Sequence, residues 1–220
     1  MFFYSESPFV VATGGTISDI TVGDKTYRVH TFTTNGTFTI ETGGTVEYLV
    51  VGAGGAGGSG FYGSGFEPGI SGYYIGNGGD AGQMLTGSLQ INAQELSVVV
   101  GSATTGNGNA SSFSSITASG GLAKGSSRTP IDGVGAAGTI NGLQSSIDGT
   151  TKYYAGGGAR GGGYLGGLGG GGRSYAGWSG GNGQVNTGGG GGGGQRDSSG
   201  FTKSGGVGGS GIVIVRYQIA

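Results

Sequence analysis

The chain has 220 residues, 61 of them glycine and 3 proline, with no cysteine, one histidine and a formal net charge of −1. Charged residues make up 10% of it, against roughly 25% in an ordinary soluble domain. This excludes disulfides and thiolate metal sites, excludes collagen for want of proline and a Gly-X-Y period, and leaves no basic footprint for nucleic acid or an anionic membrane.

The first residues, Met1-Phe2-Phe3-Tyr4-Ser5-Glu6-Ser7-Pro8, lack a basic n-region and a long apolar h-region. No stretch approaches the ~18 apolar residues of a membrane span. The expectation is a soluble product made without Sec export and without membrane insertion. Eleven Tyr, nine Phe and one Trp, with few charges, oppose disorder of the whole chain.

The first strand reads from Tyr27 to Thr34, with Tyr27, Val29, Thr31 and Thr33 on one face and Phe32 on the other. Asn35-Gly36 is a hairpin-type dipeptide, and residues 37–41 read as its second strand, with Phe38 and Ile40 on a common face. A turn at Thr42-Gly43-Gly44 precedes a third strand at 45–51; two further β-branched runs lie at 95–100 and 212–217. Five such runs suffice for a small antiparallel sheet or sandwich. No segment carries a sustained helical period. The fold class is therefore all-β and irregular, a small antiparallel β-module beside a glycine-rich part, with essentially no α-helix.

Six glycines fall in residues 1–49 and 55 in residues 50–220. That shift divides the chain into an N-terminal β-module and docking segment, 1–49, and a glycine-rich domain, 50–220, from which strands 95–100 and 212–217 return to the module. Within 50–220 the glycines cluster at 52–60, 76–82, 156–163, 166–172, 188–194 and 205–211. Ordering glycine is entropically costly, and a chain this poor in side chains offsets it poorly by apolar burial. Extended three-per-turn helices leave every N–H and C=O free for neighbours, and buried backbone groups require partners. The clusters are thus expected to pack side by side as a layered polyglycine II sandwich.

Gly52-Ala53-Gly54-Gly55-Ala56-Gly57 matches a dinucleotide fingerprint in letters only, because the continuation Gly58-Ser59-Gly60-Phe61-Tyr62-Gly63 cannot open the required helix. His30 lies mid-strand, and nothing marks a nucleophile or an orienting group beside it. The acids are scattered. No catalytic residue, cofactor or metal site is expected, and the chain reads as a non-enzyme.

The positive signal is aromatic. Phe61, Tyr62, Phe66, Tyr73, Tyr74, Tyr153, Tyr154, Tyr164, Tyr175 and Trp178 interrupt the glycine clusters, with Lys124, Arg128, Lys152, Arg173 and Arg196 nearby. Tyr and Trp give rigid contact area and Arg joins them at interface hot spots, so these residues are candidates for receptor contact. The plainer alternative is that the rings cover the sides of the glycine bundle. Phe2, Phe3, Tyr4 and Phe9 are candidates for docking the chain to another protein.

The frame from His30-Thr31-Phe32 to Thr39-Ile40, then Val46 to Gly55, resembles the opening of the glycine-rich domain of phage tail and adhesin proteins. Tyr153-Tyr154-Ala155-Gly156, Asn186-Thr187-Gly188 and Gly208-Gly209-Ser210-Gly211-Ile212-Val213-Ile214-Val215-Arg216-Tyr217 resemble its close. Residues 27–218 are covered. The resemblance implies a virion protein on the exposed surface, at a tail fibre or tail tip, with host specificity in distal loops on a polyglycine II scaffold. Its partners would be other virion proteins of the fibre, tail or capsid and a host surface protein or glycan, with a homo-oligomer as one arrangement. The alternative is a purely structural virion component, a capsid decoration or fibre-assembly protein without receptor binding.

Overall fold

The computed structural model of the chain describes residues 9–64, 71–128 and 140–220. Its strands in chain order are β1 (Val11–Thr13), β2 (Thr16–Val22), β3 (Lys25–Phe32), β4 (Gly36–Thr42), β5 (Gly44–Val51), β6 (Phe61–Ser64), β7 (Ser71–Gly76), β8 (Met84–Ile91), β9 (Gln94–Val99), β10 (Ser111–Phe113), β11 (Ile116–Ala118), β12 (Ser126–Arg128), β13 (Leu143–Ser145), β14 (Lys152–Tyr154) and β15 (Ile212–Gln218). No helix occurs among the described residues, and the all-β expectation holds.

Two five-stranded antiparallel sheets, ordered β1-β4-β9-β10-β11 and β2-β3-β15-β5-β8, face each other. Alternation along each strand sends one set of side chains inward. Phe32, Val46, Val50, Val213 and Val215 from the second sheet meet Ala12, Phe38, Ile40, Val98 and Phe113 from the first. Phe38 is the hub, with edge contacts to the rings of His30 (centroids 5.0 Å apart), Phe113 (5.8 Å) and Phe32 (6.5 Å). Such aromatic pairs contribute about 0.5–1.5 kcal/mol each beyond their burial.

The opposite face of the second sheet is covered as well. Val29, Leu49, Val51, Ile212 and Ile214 pack there against Ile147 and Tyr154. The covering segment is clamped by Arg216, which donates to Glu47 Oε2 from Nε (2.9 Å) and Nη2 (2.7 Å) and to the Ile147 carbonyl from Nη1 (3.3 Å). Its guanidinium lies 4.8 Å from the centre of the Tyr27 ring. Coverage on both faces explains why β15 is a nearly unbroken apolar run.

The strand pairing corrects the expected hairpin at Asn35-Gly36. β3 pairs with β2 and β15, whereas β4 pairs with β1 and β9, so the chain crosses between sheets at 33–35. The physical reason is that Phe32 and Phe38 both belong to the layer between the sheets, and a direct β3–β4 ladder would place them in one sheet. The Asn35 side chain anchors the corner by accepting the Val100 N–H at 2.8 Å. The turn at 42–44 is likewise a crossing, from β4 to β5. Within the expected N-terminal β-module and docking segment, Val11–Thr13 and Thr16–Val22 are strands of the two sheets, one in each.

Strands of the sandwich run on into the glycine segments. β5 continues as 52–58, β9 as 101–109 and β11 as 119–125, while 76–83 and 203–211 lead back into β8 and β15. Successive residues of 52–58 bond to different neighbours in rotation, at 2.8–3.0 Å. Gly52, Gly55 and Gly58 donate to Gln83, Asp80 and Asn77; Ala53 and Ala56 donate to Asn109 and Gly106; Gly54 and Gly57 donate to Gly209 and Gly206. The same step of three recurs where Gly76, Gly79 and Gly82 donate to Gly194, Gly191 and Gly188. The partners thus change in a step of three along both segments.

Segment 188–194 is all glycine and wholly buried, with neighbours on every side. A Cβ on Gly189, Gly190, Gly191, Gly192 or Gly193 would collide with a carbonyl oxygen of Gly170, Gly79, Gly206, Arg173 or Gly76 respectively. None of these five glycines has a left-handed φ. Space, not torsion, demands glycine. Outer segments afford a side chain at every third place, as at Ser204, Val207 and Ser210, or at Asn77, Asp80 and Gln83.

Candidate functional site

Segment 52–58 carries the chain on from β5, away from the sandwich. The far end is built from the turns that join the segments there. β6 and β7 pair as a hairpin, with Phe61 opposite Tyr74 and Tyr62 opposite Tyr73, and β12 adds to β7. The loop 196–202 is tied in by the Gly60–Lys203 bridge, and the loop 174–179 by Gly180 N–H to Ser204 O (2.9 Å) and Gln195 N–H to Trp178 O (3.1 Å).

Ser174 organises the aromatic part of this end. It is fully buried, and its Oγ accepts the N–H groups of Tyr164 (2.8 Å) and Gly163 (3.2 Å) while its own N–H donates to Tyr164 O (2.9 Å). The loop 162–165 is thereby fixed beside Tyr175. Arg173 lies 5.1 Å from the centre of the Tyr175 ring, a cation–π contact. Tyr175, Trp178, Ser179 and Lys203 line a shallow cleft of about 390 Å³.

The loop opposite is folded around Asp197. One carboxylate oxygen accepts the Phe201 N–H (3.0 Å), the other receives Lys203 Nζ (3.1 Å), and the Asp197 carbonyl accepts the Gly200 N–H (3.1 Å). The hydrogen bond from Lys203, followed by that from Phe201, lowers the Asp197 carboxyl below its ordinary value. Trp178 and Phe201 are each 68% exposed, and Tyr164 and Tyr175 about half-exposed. These rings therefore stand outward on loops whose backbones are tied by the Ser174 and Asp197 bonds. These groups can stack on and hydrogen-bond to a surface.

The structure brings together Tyr164, Tyr175 and Trp178 of the sequence candidates. Phe61, Tyr62, Tyr73 and Tyr74 lie in the strands of the hairpin capping segments 52–58 and 76–83; Phe66 lies outside the described residues, as do Phe2, Phe3 and Tyr4. Phe9 is half-buried just before β1. Tyr153 and Tyr154 sit instead at the sandwich, in β14. Tyr154 is core, 3% exposed, with burial pushing its hydroxyl up to about 12, and so offers no ring for contact. Phe201, Lys203 and Ser174 were not singled out from sequence. Phe201 was findable as an isolated ring in a polar interruption, whereas nothing in the sequence separates Ser174 from the other serines.

His30, the one histidine, is fully buried with both ring nitrogens engaged, Nδ1 with Gly14 O at 2.7 Å and Nε2 with Tyr217 Oη at 3.1 Å. The N–H groups of 52–58 that would have to cradle a phosphate are spent on neighbouring carbonyls. Among the described residues no three His, Cys, Asp or Glu side chains converge as metal ligands.

No curated protein matches the chain. A family model described as a glycine-rich domain matches residues 31–218, from the end of β3 to the last residue of β15, and the chain belongs to that glycine-rich domain family.

Proposed function

We propose that this chain is a phage virion component at a tail fibre or tail tip, exposed on the particle, that binds a host cell surface through the aromatic cluster at the far end of its glycine segments. The supporting observation is the convergence of Tyr164, Tyr175 and Trp178, with Arg173 and Lys203, on loops anchored by Ser174 and Asp197. In this reading the glycine segments are polyglycine II helices, which the three-residue rotation of their hydrogen bonds supports. They act as a stiff spacer whose backbone is fully committed to neighbours, so recognition falls to the loops. Specificity needs groups that fit one surface and clash with another, and loops carry them without disturbing the frame.

The test combines labelled-antibody electron microscopy of the particle with an adsorption assay. Label at a fibre or tail tip, and poor adsorption by a Tyr175→Ser/Trp178→Ser variant of unchanged melting, is the expected result. Normal adsorption by that variant would overturn the reading and favour a decoration or assembly role.

A further inference from the structure

At the other end of the molecule lies a larger groove, about 820 Å³, within the size of pockets that hold small ligands. Its floor is Ile212 and Ile214 of β15, and its walls are the segment 148–154, the turns 168–170 and 184–187, and Thr16 and Thr31 of β2 and β3. It shares no lining residue with the far-end cleft.

We infer that this groove is a binding site for a neutral saccharide. The charge balance points that way first. Asp148 and Lys152, the charged side chains lining it, pair with each other at 2.5 Å, and the second Asp148 oxygen accepts the Thr150 N–H at 3.1 Å. An anionic or cationic ligand would meet no uncommitted counter-charge. The uncharged polar groups are different. The hydroxyls of Thr16, Thr31, Thr151 and Tyr153 and the side-chain amide of Gln184 line the groove, and none hydrogen-bonds within the described protein. Hydroxyls both donate and accept, and the amide offers two donors and an acceptor, the mixed set that a ring of sugar hydroxyls requires. The Tyr153 ring is 37% exposed beside them and gives an apolar face for sugar C–H groups.

The wall is also built in advance. Asn186 takes a left-handed conformation, φ 59°, held by its N–H to Ser210 Oγ (2.8 Å) and by Ser210 Oγ–H to its Oδ1 (3.1 Å). Thr187 Oγ1 donates to Gln184 O (2.7 Å), and the Gln184 N–H donates to Gly170 O (2.7 Å). Gln184 is therefore presented on a fixed turn, and little ordering entropy remains to oppose binding.

The full chain should be screened on an array of neutral oligosaccharides, and the best-retained glycan titrated by calorimetry. Tyr153→Ala and Gln184→Ala, both at exposed positions, should each weaken binding of that glycan at least about tenfold, the equivalent of one good contact, with melting unchanged. Trp178→Ala should leave it intact. Retention of no neutral glycan, or loss of binding with Trp178→Ala but with neither groove variant, would overturn the assignment; so would a groove that takes only peptides.

Discussion

Tyr217 donates its hydroxyl hydrogen to His30 Nε2 across 3.1 Å in the middle of the sandwich. The rest of the network assigns the protons. The Gly14 carbonyl only accepts, so Nδ1 of His30 carries the ring hydrogen and donates to it at 2.7 Å. Nε2 must then accept from Tyr217, whose oxygen in turn accepts the Ala12 N–H at 3.2 Å. In this neutral tautomer both ring nitrogens are engaged, the Ala12 carbonyl stands 3.3 Å from the Tyr217 oxygen as its other acceptor, and the network links β1, β3 and β15 across the two sheets.

Protonating His30 would cost the bond from Tyr217 to Nε2 and turn the Tyr217 hydroxyl to its other acceptor, the Ala12 carbonyl at 3.3 Å, and burial already holds the His30 pKa below the ordinary 6.5. The unfolded chain takes up a proton as pH falls through 6.5, while the folded chain resists. The stabilisation is complete above that pH and is lost below it, at up to about 1.4 kcal/mol per pH unit. Asp19 and Asp197, both lowered, act only below the ordinary carboxyl value of 3.8. Urea unfolding at pH 7.5 and pH 5.0 should show a decline that is absent in His30→Gln. An equal decline in both proteins would contradict the assignment.

Ser111 should behave as a structural pin. Its Oγ accepts the Gly101 N–H at 2.8 Å and donates to Val51 O at 2.6 Å, joining the end of β5 to the start of segment 101–109. Ser111→Ala removes little volume but leaves a buried N–H without its partner, a loss of about 1–3 kcal/mol. Thermal melting should fall accordingly; an unchanged midpoint would show that the Gly101 N–H finds another acceptor.

Trp178 is the sole tryptophan and stands 68% exposed at the far end. Its fluorescence in the folded chain should resemble that of the unfolded chain and be quenched readily by acrylamide. Contact with a host surface fragment should shift the emission to shorter wavelength. A protected, blue-shifted spectrum in the isolated chain would place the ring elsewhere.

Much of the sandwich was legible. β5 and β15 stand out because Val46, Val50 and Val51 and the run Ile212–Val215 are β-branched and apolar, and the alternation that separates Val29 from Phe32 is the one the two buried faces use. β8 was hidden because Gly87 interrupts it. A Cβ there would meet the Tyr48 side chain directly opposite, so the glycine serves the ring and not a turn. The crossing at Asn35 carried hairpin letters, and only the need for Phe32 and Phe38 to meet across the sheets tells the two apart. In the glycine segments the legible cue is a period of three. Ala53, Ala56 and Ser59, like Ser204, Val207 and Ser210, recur every third residue, the period of the observed hydrogen bonds. Which loops meet at the far end was not legible, because Gln195 to Trp178 and Gly180 to Ser204 are long-range backbone contacts with no side-chain signature.

The central claim is that close backbone approach between glycine segments holds the frame, and paired glycine substitutions test it most directly. A methyl on Gly190 would displace the Gly79 carbonyl that accepts the Gly158 N–H, and one on Gly158 would displace the Gly191 carbonyl that accepts the Gly79 N–H. Gly125 is an internal control, with nothing within 4 Å of where its Cβ would stand. Melting curves should show Gly190→Ala and Gly158→Ala each falling by at least about 4 °C, as expected for a loss of one to two kcal/mol or more in a chain of this size. Gly125→Ala should match the parent or exceed it slightly, through the lower entropy of its unfolded state. Equal melting temperatures for all three variants and the parent would contradict the account.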